Sequence, residues 1–212
     1  MLNLMLIIVT GIYGGAGGYT IGYAKMNNQS INSKMIEYGL SEINGLLLNG
    51  GSGYAFINRI IIGGSGYGGS VRETGDSLSV KYGVGGGYFE IGYIPLSIKS
   101  LFPVIIMGIG GYSEELVIGN VQRRSDWNGV WQYFQNETRI TRGGFSLSPS
   151  IGFIFYPQKF PLGFMFVVTY NTILSKTWKF DSGTELSDNP DVPIGVFSFK
   201  ITILTGGVKY GK

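Results

Sequence analysis

The side chains able to act as an acid–base pair are carboxylates, and they lie in two places. Glu114 and Glu115 are adjacent, and a second group follows in polar sequence: Asp181, Glu185, Asp188 and Asp191. Neighbouring residues of a strand point to opposite faces, so Glu114 and Glu115 make a poor acid–base pair. Solvation is the ordinary role of the second group.

Two missing residue types narrow the chemistry further. The chain contains no histidine and no cysteine. Ser-His-Asp and Cys-His nucleophiles, histidine metal sites and thiolate metal sites are therefore excluded. We expect no enzymatic activity, no metal site and no cofactor.

Glycine is abundant, with 36 residues, but its clusters do not indicate a nucleotide site. A phosphate-binding loop needs a strand, a glycine-rich turn and the start of a helix, whereas clusters such as Gly63-Gly64 continue into strand-like sequence. Small residues on the inner face let a narrow barrel close. The net charge of +3 is too weak to indicate a nucleic-acid partner.

The connection Asn120–Arg142 combines arginines with aromatic residues. The arginines are Arg123, Arg124, Arg139 and Arg142, and the aromatic residues are Trp127, Trp131, Tyr133 and Phe134. Arginine binds phosphate through paired hydrogen bonds, so this segment is a candidate phosphate-binding loop. The alternative, which we favour, is a solvated loop whose aromatic residues pack over the neighbouring structure.

The composition points away from an ordinary soluble protein. Charged residues make up 14% of the chain and the mean hydropathy is +0.19, against roughly 25% charged residues in soluble domains. No apolar run reaches the length of about 18 residues that a helical membrane span requires. We expect a single domain over residues 1–212, in which residues 1–11 are either a remnant of a signal peptide or the start of the first strand.

Strict alternation of residue types predicts the strands. Between Gly143 and Tyr156, large apolar residues alternate with serine and glycine, which gives one apolar and one small polar face. Eight segments are strand-like, and they are 12–26, 45–56, 59–71, 77–93, 102–116, 143–156, 162–174 and 194–210. Ser30–Tyr38 has helical spacing, with Gly39 as its stop.

Two positions predict irregular strands. The apolar parity of the fourth segment changes across Gly85-Gly86-Gly87, where a β-bulge would restore the facing. Pro149 lacks the ladder donor, so we expect a bulge or a local break there.

The connections between segments alternate in length. Short ones follow Phe56, Tyr93 and Tyr156, whereas most of the others are long, Arg72–Asp76 excepted. Short turns on one side and long loops on the other are typical of outer-membrane barrels. We therefore predict an all-β, eight-stranded antiparallel up-and-down (meander) β-barrel, with its apolar face toward lipid and one short helix in the first long loop.

In such a barrel the face opposite the apolar one lines the lumen. The lumen candidates are Lys81, Glu90, Asn171 and Lys200. Buried charges need partners, so we expect a structural network of these side chains. A narrow, selective pore is the alternative, because eight strands enclose little more than side chains.

With this pattern the chain resembles small bacterial outer-membrane β-barrel proteins of the porin-like or opacity type. Gly50–Phe56 followed by Ile60–Gly64 is similar to one of their hairpins. The resemblance implies an outer-membrane location in a Gram-negative-type bacterium and a structural, surface-binding or weakly pore-forming role. In that setting the four arginines are candidate ligands of lipopolysaccharide phosphates.

Two other classes remain open. One is a soluble calyx-type barrel that binds a small apolar ligand and turns its apolar parity inward. The other is a coat or surface-layer interaction protein. The direction in which Phe145, Ile151 and Phe153 point separates the membrane barrel from the calyx.

Overall fold

The protein forms a closed antiparallel β-barrel. The structure, a computed structural model, describes residues 11–121, 137–157, 160–175, 177–190 and 195–210. The strands are β1 (Ile12–Lys25), β2 (Gly45–Asn58), β3 (Ile60–Thr74), β4 (Leu78–Tyr93), β5 (Leu101–Asn120), β6 (Glu137–Phe155), β7 (Leu162–Ile173), β8 (Lys179–Phe180) and β9 (Gly195–Tyr210). The predicted eight-stranded meander is confirmed, and the two-residue β8 is an addition that pairs with β6.

Pairing closes the barrel through β1–β9 and β5–β6. One row of hydrogen-bonded partners starts at Tyr13 and returns to the same strand ten residues further on, at Tyr23. A stagger of this kind is what closure of a tilted sheet requires. The row runs through Tyr13, Ile57, Ile60, Tyr93, Ile105, Ile151, Val168, Phe199 and Tyr23.

Every member of this row points outward. Their side chains are between 37% and 63% exposed, although all of them are apolar or aromatic. We call these nine residues the outer apolar band. It encircles the barrel without a gap, which a soluble surface does not do.

The direction of the sixth predicted strand separates the two barrel classes. Phe145, Ile151 and Phe153 are 52%, 63% and 39% exposed, whereas Ser146 and Ser148 on the other parity are buried. The apolar parity faces outward, as predicted for a membrane barrel. The calyx arrangement, with this parity facing inward, is wrong.

The connections sort by length between the two ends of the barrel. At the turn end, single-residue and short connections follow Asn58, Tyr93 and Phe155. At the loop end lie the connection 26–44, which contains the helix α1 (Gln29–Glu37), and the connection 174–194, which contains β8. The predicted sorting of short turns and long loops is therefore present, with the short turn 75–77 as the predicted exception.

Helix α1 ends as the sequence predicts. Gly39 has a φ of +72°, its N–H donates to the carbonyl of Ile36, and the N–H of Leu40 donates to that of Met35. This C-terminal arrangement favours glycine. Ile31 and Met35 of α1 are buried against the inner face of the barrel, so the helix covers part of the loop end. Within the described ranges, no helix is long and apolar enough to cross a membrane.

The strands are not equally tall. At the loop end, β3 continues past the last residue that pairs with β2, and β6 continues past the last residue that pairs with β7. β4 and β5 lie between them and remain paired over this extra length. We call this continuation the upper wall: Gly69–Thr74, Leu78–Val84, Glu114–Asn120 and Glu137–Gly144. In it the facing of apolar residues is reversed, since Val80, Tyr82 and Leu116 are buried inside, whereas Arg72 points outward.

The bulge predicted at Gly85-Gly86-Gly87 is wrong. Both neighbouring ladders run through these residues without a shift of register. Val84 and Tyr88 are both inward, whereas Phe89 and Ile91 are outward. The apolar residues therefore change sides because the environment on each side changes, and the backbone stays regular.

Pro149 interrupts one ladder. Pairing of β6 with β7 stops after Leu147 and resumes at Ser150 in the same register. Its other neighbour is unaffected, because Pro149 remains opposite Met107 of β5. The predicted local break is present, and there is no bulge.

Candidate functional site

The centre of the barrel carries a belt of polar side chains. Glu90 of β4 points inward and is buried, whereas its sequence neighbours Phe89 and Ile91 point outward. Its carboxylate accepts hydrogen bonds from the Tyr54 hydroxyl (2.7 Å) and from Ser65 Oγ (2.6 Å). Lys200, on β9, places its Nζ 4.6 Å from the centroid of the Tyr67 ring. Both oxygens of the carboxylate have partners, and the ammonium group lies over an aromatic face, a favourable arrangement for a cation.

Asn171 is the second centre of this belt. Its Oδ1 accepts from the Tyr67 hydroxyl (2.5 Å) and from Ser148 Oγ (2.9 Å), and its Nδ2 donates to Ser198 Oγ (3.3 Å). These bonds join β3, β6, β7 and β9 across the lumen. Hydroxyl pairs extend the belt around the wall: Thr20 with Thr202, Ser150 with Thr169 and Tyr88 with Ser146.

Little space remains in the belt. Glu90 and Lys200 line the same cavity, which has a volume of about 10 Å³. That volume holds about one water molecule. Apolar clusters lie on both sides, with Phe56 and Phe102 toward the turn end and Leu48 and Tyr82 toward the loop end.

Lys81 is not a lumen residue, which corrects the sequence prediction. It lies in the upper wall, where its parity points outward, and its Nζ is 3.7 Å from Glu115 Oε2. Arg139 Nε lies 3.1 Å from the other oxygen of Glu115 and 3.9 Å from Asp181. The sequence assigned Lys81 to the lumen because the change of apolar parity along β4 was interpreted as a bulge that restores the facing, whereas the strand is regular and the facing itself reverses. Glu90, Asn171 and Lys200 do lie inside.

Arg142 is not in a loop, which corrects a second prediction. β6 begins at Glu137, so Arg142 is a strand residue, and it points into the barrel. Its Nε and Nη2 donate to Glu114 Oε2 at 3.1 and 2.6 Å, and both side chains are 1% exposed. Arg142 is therefore not available to an external phosphate. Arg139 lies outside in the cluster with Glu115, and Arg123 and Arg124 lie outside the described residues.

The buried Glu114–Arg142 pair is the main feature that the sequence reading missed. A signal existed, because Glu114 shares its parity with Tyr112 and Leu116, which are inward. The opposite facing of Glu114 and Glu115 is as predicted. Around this pair, several buried polar atoms have no hydrogen-bond partner among the described residues: Glu114 Oε1, Tyr82 Oη, Tyr112 Oη and Trp178 Nε1.

Trp178 stands beside Arg142. Its ring centroid is 5.5 Å from the guanidinium carbon, and its side chain is fully buried. The backbone N–H of Trp178 donates to Asn189 Oδ1 at 2.8 Å, which fixes the connection after β7 across the loop end. In the described part of the chain no group of three or more acidic side chains is placed to hold a metal ion.

Together these features define the class of the molecule. A closed eight-stranded up-and-down barrel, apolar on its outside and polar at its centre, has the architecture of small outer-membrane β-barrel proteins. The resemblance that the sequence suggested is confirmed at the level of the fold. No family model matches the chain, and no curated protein sequence matches it.

Three solved structures of outer-membrane proteins are similar to it. One is Ail, the attachment invasion locus protein of Yersinia pestis, in complex with the heparin analogue sucrose octasulfate, at 13% identity and a TM-score of 0.43, covering 94% of this chain and 99% of Ail. OprG from Pseudomonas aeruginosa is 12% identical with a TM-score of 0.43, covering 95% of each chain. A major outer membrane protein from Thermus thermophilus is 10% identical with a TM-score of 0.47, covering 91% of this chain and 99% of that one. With every TM-score below 0.5, the class rests on this chain's own strand pairing and burial.

Proposed function

We propose that the protein spans the outer membrane as a closed barrel and serves as an anchor for its loop end, not as a pore. The outer apolar band carries this proposal. Nine outward apolar residues form one uninterrupted row around the barrel, and lipid is the solvent that such a surface suits. The packed lumen, with a cavity of about 10 Å³ at the polar belt, supports the closed state.

Two measurements test this proposal. The protein is expected in the outer-membrane fraction, with a heat-modifiable mobility on gels; recovery in the soluble fraction would overturn the location. In planar bilayers neither the wild type nor Lys200→Met should form channels. Stepwise conductance whose ion selectivity differs between the two would instead favour a pore through the polar belt, because Lys200 is a charge in that path.

A second observation favours a surface role at the membrane boundary. The outer face of the upper wall is polar, and its basic residues Lys81 and Arg139 stand against the carboxylates of Glu115 and Asp181. Arg72 and Lys81 are direct cross-strand partners. Like charges placed opposite each other destabilise a sheet, and a bound anion would offset this repulsion.

A shallow groove of about 860 Å³ runs beside this cluster. Lys81, Glu115, Ser113 and Thr141 are among its lining residues. Because the groove begins where the outer apolar surface ends, it lies at the height of lipid head groups in the proposed orientation. We therefore propose that the cluster binds the phosphates of lipopolysaccharide, with Arg139 as the sequence-predicted contact and Arg123 and Arg124 as further candidates.

Loss of two cations tests the lipopolysaccharide proposal. Lys81→Ala plus Arg139→Ala should weaken binding of purified lipopolysaccharide to the barrel in nanodiscs, whereas the matched variant Lys25→Ala plus Lys209→Ala removes the same charge from exposed positions elsewhere. Dephosphorylated lipopolysaccharide should bind equally to all three proteins. Equal binding of the phosphorylated form to both double variants would contradict a site at the upper wall, and Arg123→Ala plus Arg124→Ala asks whether the loop carries it instead.

A further inference from the structure

An apolar cavity opens between α1 and the inner face of the upper wall. Its volume is about 400 Å³, and we call it the mouth cavity. Most lining residues are apolar. They are Ile31 and Met35 of α1, Leu78, Val80, Leu116, Ile118 and Ile140 of the wall, and Leu186 and Pro190 of the connection after β7.

The cavity follows from a mismatch between helix and wall. Beyond the buried Glu114–Arg142 pair, the inner face of the upper wall next to α1 is apolar across three strands. Helix α1 has nine residues and buries only Ile31, Asn32 and Met35. Leu78, Ile118 and Leu186 are consequently left partly buried at the edge of the core. A volume of this size lies within the range of about 300–1,000 Å³ that small-molecule sites occupy.

The rim of the cavity is polar on the side of α1. Lys34 and Tyr38 line it, and both are mostly exposed. Lys34 Nζ lies 2.7 Å from Glu37 Oε2, and this hydrogen bond together with the carboxylate charge raises the pKa of Lys34. The ammonium group has three N–H donors, so it can hold Glu37 and a second anion at once.

We propose that the mouth cavity binds the chain of a single-chain amphiphile, whose anionic head group contacts Lys34 at the rim. The apolar lining fits the chain, and the position of a cation at the polar part of the rim fits the head. Neither step depends on the lipopolysaccharide cluster, which lies on the opposite face of the same wall, nor on whether the lumen is closed.

Two probes separate the chain from the head. The barrel in nanodiscs is titrated with dodecanoate and with dodecanol, and empty nanodiscs of the same lipid give the background. We expect the wild type to bind both probes above background. Lys34→Gln should weaken dodecanoate binding and leave dodecanol binding unchanged, because only the former has a charged head.

Filling the cavity tests the chain site. Val80→Phe should weaken binding of both probes by about tenfold or more, since one added methylene-sized group has effects of this order in apolar pockets. Val84→Phe is the matched control: Val84 is also buried and inward on β4 but does not line the mouth cavity. Ile118→Trp fills the same space from a partly buried position if Val80→Phe does not fold, as judged by heat-modifiable mobility.

Three results would overturn the proposal. The first is binding of the wild type at the level of empty nanodiscs, which would mean that the cavity takes no such ligand. The second is equal binding of the probes to the filled and control variants. The third is an equal loss of dodecanoate and dodecanol binding in Lys34→Gln. Fractionation and conductance are unaffected by any of these results, so the proposed membrane anchor stands or falls separately.

Discussion

The upper wall and the lower barrel are built from the same strands but face their apolar residues in opposite directions. In the lower part of β4, Phe89 and Ile91 are outward, and Glu90 is buried inside. Further along the same strand Val80 and Tyr82 are inside, and Lys81 is outside. The backbone between them is regular, so neither a bulge nor a turn separates the two regions.

The difference shows that the side to which apolar residues point changes with the polarity of the outer surface. Where the outside is apolar, the interior can hold polar residues; where the outside is polar, the interior must supply the core, here against α1 and Trp178. Glycines occupy the change-over on adjacent strands, since Gly87 of β4 pairs with Gly111 of β5. In the proposed orientation, this change-over is the upper edge of the bilayer.

The largest effect is expected from the two arginine–glutamate pairs of the upper wall, one inside and one outside. Arg142→Met leaves the buried Glu114 carboxylate without its partner, which should lower the free energy of unfolding by about 3–5 kcal/mol. Arg139→Met removes an exposed pair and should cost about 0–1 kcal/mol. Denaturant unfolding of the barrel in lipid vesicles measures both.

A double replacement checks the cause. Glu114→Leu together with Arg142→Met removes both buried charges and should recover most of the stability lost in Arg142→Met. If the double variant is no more stable than the single one, packing of the arginine stem accounts for the loss, and the buried charge does not.

The Glu114–Arg142 pair also shows which parts of the structure the sequence could predict and which it could not. Alternation predicts the eight strands, and together with the sorting of connection lengths and the low charge content it predicts the meander and the outward facing of Phe145 and Ile151. It does not reveal where the outside changes from apolar to polar, because that depends on how far neighbouring strands extend. Lys81 was therefore misplaced. Arg142 was misplaced because β6 begins at Glu137 and not at the predicted residue 143. Glu90 and Lys200, below the change-over, were placed inside as they are.

An intermediate effect is expected from a charge placed on the outside of β5 at two heights. Ile105 belongs to the outer apolar band, whereas Ser113 is an outward residue of the same strand near the upper wall. Ile105→Arg should destabilise the barrel in lipid by about 2–4 kcal/mol, and Ser113→Arg by about 0–1 kcal/mol. Equal costs in vesicle unfolding would mean that the apolar band does not face lipid at Ile105.

The smallest effect compares two adjacent glycines at the change-over, Gly110 inside and Gly111 outside. A Cβ at Gly110 would overlap the carbonyl oxygen of Gly87, whereas at Gly111 the nearest atom is 3.8 Å away. Gly110→Ala should therefore destabilise the barrel by about 1–3 kcal/mol, as overpacking does. Gly111→Ala should be neutral or slightly stabilising, because alanine restricts the unfolded chain. Unfolding in vesicles measures the difference. A similar cost at both positions would mean that inner crowding at Gly110 does not set the cost. It would also remove the reason given for small residues on the inner face of so narrow a barrel.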